Sequence, residues 1–331
     1  MPATELAISA EQLVKRYGQV EAVNGIDLQI AAGEIFGFLG PNGAGKSTTI
    51  NILCTLLRPT SGRAAVAGID VSVDPSAVRS RIGLVFQDPS LDDQLTAREN
   101  LDFHAYLYGL PARLRKQRVA DALEMVELTE RAGSLVRTFS GGMKRRLEIA
   151  RGMLHYPQVL FLDEPTLGLD PQTRSRIWTY LHDLRRREGI TIFMTTHYMD
   201  EAEYCERIAI IDRGHIVALG TPDELKAQVG GDVVTVATAD TASVATEVES
   251  RFGIRPIQAD GSLRLEVPDA AAFLPRLIRD LSAPISSVTL RRPSLDDVFL
   301  KLTGRAIREE EAGTRDQLRM MAARWGGGRR R

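Results

Sequence analysis

Gly40, Pro41, Asn42, Gly43, Ala44, Gly45, Lys46, Ser47 and Thr48 spell GPNGAGKST, a match to G-x-x-x-x-G-K-[ST]. The run follows EIFGFL, an apolar stretch of strand type. It precedes STTINILCTLL, whose apolar residues recur at helical spacing and stop at Arg58 and Pro59, as a proline-stopped helix should. Few chain segments constrain a fold as tightly as a glycine loop between a buried strand and a helix. The glycines permit backbone conformations that turn N–H groups onto a phosphate, and the helix N-terminus adds partial positive charge. Lys46 is placed to neutralise terminal phosphate oxygens, and Ser47 offers a hydroxyl to Mg²⁺. This placement implies a bound nucleoside triphosphate.

A second stretch completes the chemistry. VLFLDE carries four apolar residues of a buried strand and ends in Asp163 and Glu164, at the sheet edge where ligands of open α/β sheets bind. Asp163 suits a magnesium ion, which keeps several waters and takes few protein carboxylates. Glu164 suits the polarisation of an attacking water, a role contributing on the order of a hundred- to ten-thousand-fold. By themselves, two acids at a strand end are a solvated cap; beside a phosphate loop they gain a task.

The rest of the chain falls into blocks. Strand-like runs with turns at Asn24-Gly25 and around residues 31–34 suggest an antiparallel hairpin region before the glycine loop. Residues 89–157 are helical in texture, with ARENLDFHAYLYGL and RLRKQRVADALEMVEL placing apolar residues three and four apart. VLFLDE, ITIFMTT and RIAIID alternate with the helical TRSRIWTYLHDLRRREG, which indicates a parallel sheet covered on both faces. Beyond residue 230 the order becomes β-α-β-β-α-β with a trailing helix, a small ferredoxin-like unit. The expected divisions are residues 1–230, residues 231–304 and a charged tail at 305–331.

Composition excludes several classes. With 331 residues, 44% hydrophobic and 26% charged, the chain suits a large globular domain plus a smaller one. A net charge of -1 supplies no global field for nucleic acid or acidic lipid, so no nucleic-acid partner is expected. Cys54 and Cys205 show no metal-ligand spacing and read as plain thiols of a reducing compartment. The opening MPATELAISAEQ has no basic region followed by an apolar core, and no run approaches the roughly 18 apolar residues of a membrane span. A chain that is neither exported nor self-inserting is the expectation.

FSGGMK, at residues 139–144, separates the possibilities left open by the phosphate loop. It resembles the LSGGQ-type signature of the ATP-binding cassette (ABC) family, with Ser140, Gly141 and Gly142 intact and departures at Phe139 and Met143. The helical spacing of KRRLEIARGML should present their N–H groups at a helix N-terminus. Further matches follow in the family's order. By that resemblance Tyr17 corresponds to the aromatic that stacks on adenine and Gln87 to the glutamine that touches Mg²⁺ and senses the transport partner. Asp170, in GLDP, corresponds to the residue that communicates across the dimer, and His197 to the switch histidine at the γ-phosphate. Taken singly, each would pass for an ordinary surface or turn residue.

The resemblance implies an α/β fold: a P-loop ABC-type nucleotide-binding domain with antiparallel β and helical subdomains, plus the small α+β domain. It also implies ATP and Mg²⁺ as ligands, real ATPase activity with Glu164 and His197 catalytic, and a homodimer. In that dimer each ATP lies between one subunit's phosphate loop and the other's signature. Residues 291–305, RRPSLDDVFLKLTGR, resemble the C-terminal element of daunorubicin-resistance type drug-export ATPases, related to bacterial ABC-2 exporters. That branch implies a separate membrane permease and a peripheral position on the cytoplasmic side of the membrane. Its helix has Leu295, Val298, Phe299 and Leu302 on one side, suited to packing on its own domain or on a second subunit. Alternatives from other classes are a soluble ABC ATPase acting on DNA or the ribosome and an exporter of lipid or polysaccharide; import stays open on the motifs.

Overall fold

The computed structural model describes residues 5–303 apart from 89, 239, 260, 261 and 283. The charged tail expected at 305–331 lies outside them. The chain opens with β1 (Leu6–Tyr17) and β2 (Val20–Ala31), an antiparallel hairpin, then β3 (Ile35–Leu39), α1 (Lys46–Leu53), β4 (Ser61–Val66), β5 (Ile69–Asp70) and α2 (Pro75–Arg81). β6 (Ile82–Val85) leads into the helices α3 (Ala97–Leu107), α4 (Ala112–Met125) and α5 (Gly141–Met153). There follow β7 (Val159–Asp163), α6 (Pro171–Glu188), β8 (Thr191–Thr196), α7 (Met199–Ala202), β9 (Arg207–Asp212), β10 (His215–Gly220) and α8 (Pro222–Ala227). The last block is β11 (Asp232–Thr238), α9 (Thr241–Phe252), β12 (Ile257–Ala259), β13 (Ser262–Val267), α10 (Ala270–Asp280), β14 (Ile285–Arg291) and α11 (Leu295–Thr303).

A six-stranded sheet of order β10-β9-β3-β8-β7-β6 is the frame, parallel except for β10. Its strands alternate between two cores, as strands covered on both faces must. Phe36, Phe38, Phe161 and Phe193 point to one face, where the sheet β2-β1-β4-β5 and α1 close over them. Ile35, Leu39, Leu160, Leu162, Ile192 and Met194 point to the other, against Ile177, Trp178 and Leu181 of α6. α3, α4 and the near side of α5 make a separate core around Leu101, Leu123 and Leu147.

β11 to β14 form a sheet of order β12-β13-β11-β14, antiparallel throughout, backed by α9 and α10. Strand and helix order match the ferredoxin-like expectation. Two details differ from the sequence pattern. α1 ends at Leu53, well before Pro59, because Thr55 adopts φ +64 and the N–H groups of Leu56 and Leu57 turn back onto the Asn51 carbonyl. The chain caps itself before the proline is reached. α11 turns away from the sheet of its own small domain: Leu295, Val298 and Phe299 join the core that holds Trp178, Met199 and Leu225, and Leu302 is exposed. Lys301 Nζ anchors it by donating to the Gln228 and Val229 carbonyls at 2.8 and 2.9 Å.

Phe299, 1% exposed, is the largest side chain that α11 puts into that core. Phe299→Ala should lower the stability of the first 230 residues by about 3–5 kcal/mol, read as a lower urea midpoint of tryptophan fluorescence. On α3, burial and then the charge of Arg151 bring the His104 pKa from 6.5 to about 4. The fold therefore keeps His104 neutral while the unfolded chain binds a proton below about pH 6.5, so this contribution is complete above that pH and is lost as pH falls toward 4. His104→Gln should flatten the dependence of melting temperature on pH across that window.

Candidate functional site

β8 lies between β3 and β7, and this order brings three loops to one sheet edge. The Gly40 N–H donates to the Thr196 carbonyl at 3.2 Å, which ties the start of the phosphate loop to the end of β8. Gly45 heads α1 with φ +112, and a Cβ there would stand 2.4 Å from the Ala22 carbonyl oxygen. Only glycine lets β2 approach so closely. Lys46, 5% exposed, sends its ammonium back along the loop to the Gly40 and Pro41 carbonyls at 2.8 and 3.1 Å. Asn42, Gly43 and Ser47 are exposed, Pro41 and Thr48 half-buried and Ala44 buried, so the loop offers an open rim over a closed floor.

Opposite Lys46 stand the two acids. Asp163 ends β7, buried, with Oδ1 accepting a short hydrogen bond from the Thr195 hydroxyl. Glu164 follows with φ +45, a left-handed conformation that costs a side-chain-bearing residue of order 1–3 kcal/mol. Its N–H donates to the Thr195 hydroxyl at 3.1 Å, so one threonine of β8 serves both acids. The Glu164 carboxylate lies 3.4 Å from Lys46 Nζ and 3.2 Å from His197 Nδ1. That imidazole nitrogen is buried and off the line of a hydrogen bond, so the His197 contact is one of proximity. Burial alone would raise the pKa of Glu164, but the neighbouring imidazole and ammonium outweigh it and hold the carboxyl below 4.5. Burial pulls the Lys46 pKa down, with Glu164 acting the other way.

Ser140 caps α5, its hydroxyl accepting from the Met143 N–H at 3.3 Å. Both departures from the LSGGQ pattern are packing residues: Phe139 is buried in the helical core and Met143 lies against it. Gly142 abuts α6, where a Cβ would stand 2.3 Å from Thr173 Cγ2. Thr173 in turn donates its N–H and hydroxyl to Asp170, the cap of α6, at 3.0 and 2.6 Å, and these bonds lower the Asp170 pKa. The expected residues thus form two groups: Lys46, Asp163, Glu164 and His197 beside the phosphate loop, and the signature at the start of α5 with Asp170 at the start of α6, where Gly142 and Asp170 meet at Thr173. Among the described residues no hydrogen bond or ion pair joins the signature to the phosphate loop. Gln87 is exposed just beyond β6, and Tyr17 is exposed at the end of β1 with Lys15 Nζ 5.2 Å from its ring centre.

Comparison with known proteins fits this geometry. The ABC transporter family profile covers residues 23–167. The profile of the C-terminal domain of ATP-binding proteins like DrrA1-3 covers residues 220–303, starting ahead of the boundary expected at 230. The daunorubicin resistance ATP-binding protein DrrA2 of Streptomyces coeruleorubidus is 42% identical over 92% of this chain and 98% of its own. The chain belongs to the ABC transporter ATP-binding proteins of the daunorubicin-resistance type. The linearmycin resistance ATP-binding protein LnrL of Bacillus subtilis is 38% identical over 91% of this chain and all of its own. Among solved structures, cbiO1 from Clostridium perfringens, part of a cbiONQ transporter complex, aligns with TM-score 0.64 at 30% identity, covering 75% of this chain and 96% of its own. The dimeric cassette MJ0796 bound to ADP and Pi aligns with TM-score 0.58 at 29% identity, covering 65% of this chain and 98% of its own. As an ABC ATPase the chain binds and hydrolyses ATP.

Several residues of this ABC site are invisible to motif reading. Thr195 is one. Arg145 and Glu148 are others, nearly buried on α5 at 6% and 1% exposure. A signal for Arg145 was present: Gly142, Arg145, Ile149 and Gly152 recur at the spacing of a core-facing stripe, so the arginine falls where an apolar residue is due.

Gly142→Ala should lower ATPase activity and stability by collision with Thr173. Adding Thr173→Ser, which removes Cγ2 but keeps the hydroxyl on Asp170, should restore part of both; steady-state turnover and melting temperature of the single and double variants check it.

Proposed function

We propose that this chain is the ATPase motor of an exporter for a drug-like hydrophobic molecule, working as a homodimer beneath a separate membrane permease. The observation that carries the catalytic part is the Lys46–Glu164–His197 contact at 3.4 and 3.2 Å, set at the edge of the phosphate loop. The resistance functions in the names of its relatives support the drug-like cargo, and the distance in bonding between signature and phosphate loop supports pairing of two copies. Residues 1–230 are the motor, with the helical subdomain at about 89–157; residues 231–304 are an accessory domain. No described helix is long and apolar enough to cross a membrane, which fits a peripheral subunit on the cytoplasmic side.

In this reading each motif residue takes a role. Tyr17 stacks on adenine. Gly40, Pro41, Asn42, Gly43, Ala44, Gly45, Lys46, Ser47 and Thr48 wrap the phosphates with N–H groups and one ammonium. Ser140, Gly141 and Gly142 of the second copy close over the γ-phosphate, and Asp170 relays that closure. Mg²⁺ suits the oxygen donors Ser47, Gln87 and Asp163, where Thr195 engages Oδ1 of the carboxylate and leaves the second oxygen for the ion. When bound, the ion supplies charge neutralisation to the phosphates. A γ-phosphate also competes with Glu164 for Lys46, and as the ammonium turns toward phosphate it leaves the carboxylate. The carboxylate becomes a better base when substrate is in place, and takes a proton from the attacking water while His197 holds the γ-phosphate. ATP drives closure because it binds the closed pair better than the open one, and hydrolysis removes that preference.

Glu164→Gln should abolish turnover yet accumulate an ATP-bound dimer on size exclusion; hydrolysis at the wild-type rate would remove Glu164 from the mechanism. Ser140→Ala should leave ATP binding by the monomer intact and depress hydrolysis, at about 1 kcal/mol of stability for the lost cap. Weaker binding by the monomer would contradict a role in trans. For the export role, the tagged chain should co-purify in mild detergent with a polytopic membrane protein; recovery with ribosomes or DNA-repair proteins would overturn it.

A further inference from the structure

Arg145, buried on α5, hydrogen-bonds to backbone on both sides of Glu164 and next to Gln87. Its Nε donates to the Pro165 carbonyl at 2.6 Å, and one terminal nitrogen to the Asp163 carbonyl at 3.1 Å. The other terminal nitrogen donates to the Phe86 carbonyl at 2.7 Å and to Glu148 Oε2 at 3.1 Å. Glu148 Oε1 accepts the Ser90 N–H at 2.8 Å, and Arg151 donates to the Ser90 carbonyl at 3.0 Å. One guanidinium therefore grips both carbonyls that flank Glu164, and with its counter-ion holds Phe86 and Ser90, on either side of Gln87. All of this hangs on α5, whose first turn is the signature.

Stability does not account for the pair. A buried ion pair loses hydration that its mutual attraction barely returns, and well-packed apolar residues do as well or better in such places. What a planar guanidinium does supply is a rigid fork with several donors at fixed angles. Glu164 needs such support, because its backbone sits in a conformation that relaxes unless the neighbouring peptides are held.

We propose that Arg145, braced by Glu148, is a positioning residue that locks the catalytic edge at Glu164 to the segment carrying Gln87. Movement imposed at Phe86 and Gln87 reaches the carboxylate through one side chain, and the signature helix moves with both. The inference rests on Glu164 being the base.

The test is steady-state ATPase of the full chain with ATP affinity measured separately. Arg145→Lys keeps the charge, but a single ammonium cannot span three carbonyls; kcat should fall by about ten- to a hundredfold, as for a misplaced catalytic group, with KM and ATP affinity unchanged. Glu148→Gln keeps an oxygen for the Ser90 N–H and the same volume, loses the counter-charge, and should give a smaller loss of the same kind; it decides the matter if the Arg145 variant does not fold. Combining Gln87→Ala with Arg145→Lys should cost less than the two separate losses multiplied. Folded variants with wild-type kcat, or kcat losses that merely track the unfolded fraction, would overturn the proposal. If wild type itself fails to hydrolyse ATP, or Glu164→Gln hydrolyses normally, the reading of Glu164 fails instead.

Discussion

The parallel pairing of β8 with β3 on one side and β7 on the other is the constraint on which the site depends. Leu39 pairs with Thr196 and Asp163 with Thr195, so a one-residue slip in either ladder would separate lysine from glutamate and expose a core face. Phenylalanines on three of these strands fix the register from below: Phe193 lies 5.8, 5.6 and 5.5 Å from Phe36, Phe38 and Phe161. Apolar packing on one face thus sets polar distances at the edge.

Electrostatics then decides how the edge behaves. Lys46 and Glu164 are both almost removed from water, a position their mutual contact and the Gly40 and Pro41 carbonyls make tolerable. The edge of the phosphate loop therefore holds a paired cation and carboxylate before any ligand arrives. Thr195 adds a neutral element by bonding the Asp163 carboxylate and the Glu164 N–H, so the two acids differ in surroundings through their partners more than through their sequence.

Much of this was legible in the sequence. The phosphate loop, the acids after VLFL and the β-α-β-β-α-β order of the small domain all follow from local pattern, because strand burial and loop chemistry are written in adjacent residues. What escaped depends on distant or subtle partners. Helical spacing identified Leu295, Val298 and Phe299 as one apolar face but could not name the surface that receives it. The end of α1 turns on Thr55 entering a left-handed conformation, for which a threonine gives no cue. Arg145 stood on a core stripe, where a charge asks for a partner that only the folded chain supplies. The left-handed backbone of Glu164 is imposed by its surroundings and has no local signature.

The packing of α11 also sets an order of events in synthesis. Residues near Trp178 and Leu225 share a core with Phe299, and the whole small domain is threaded between them. On the ribosome the cassette must wait, with an apolar groove open, while some seventy further residues are made, roughly several seconds to a quarter of a minute at ordinary elongation rates. The small domain is therefore a delay line as much as an appendage, and completion of the motor's core reports that the chain behind it has been made.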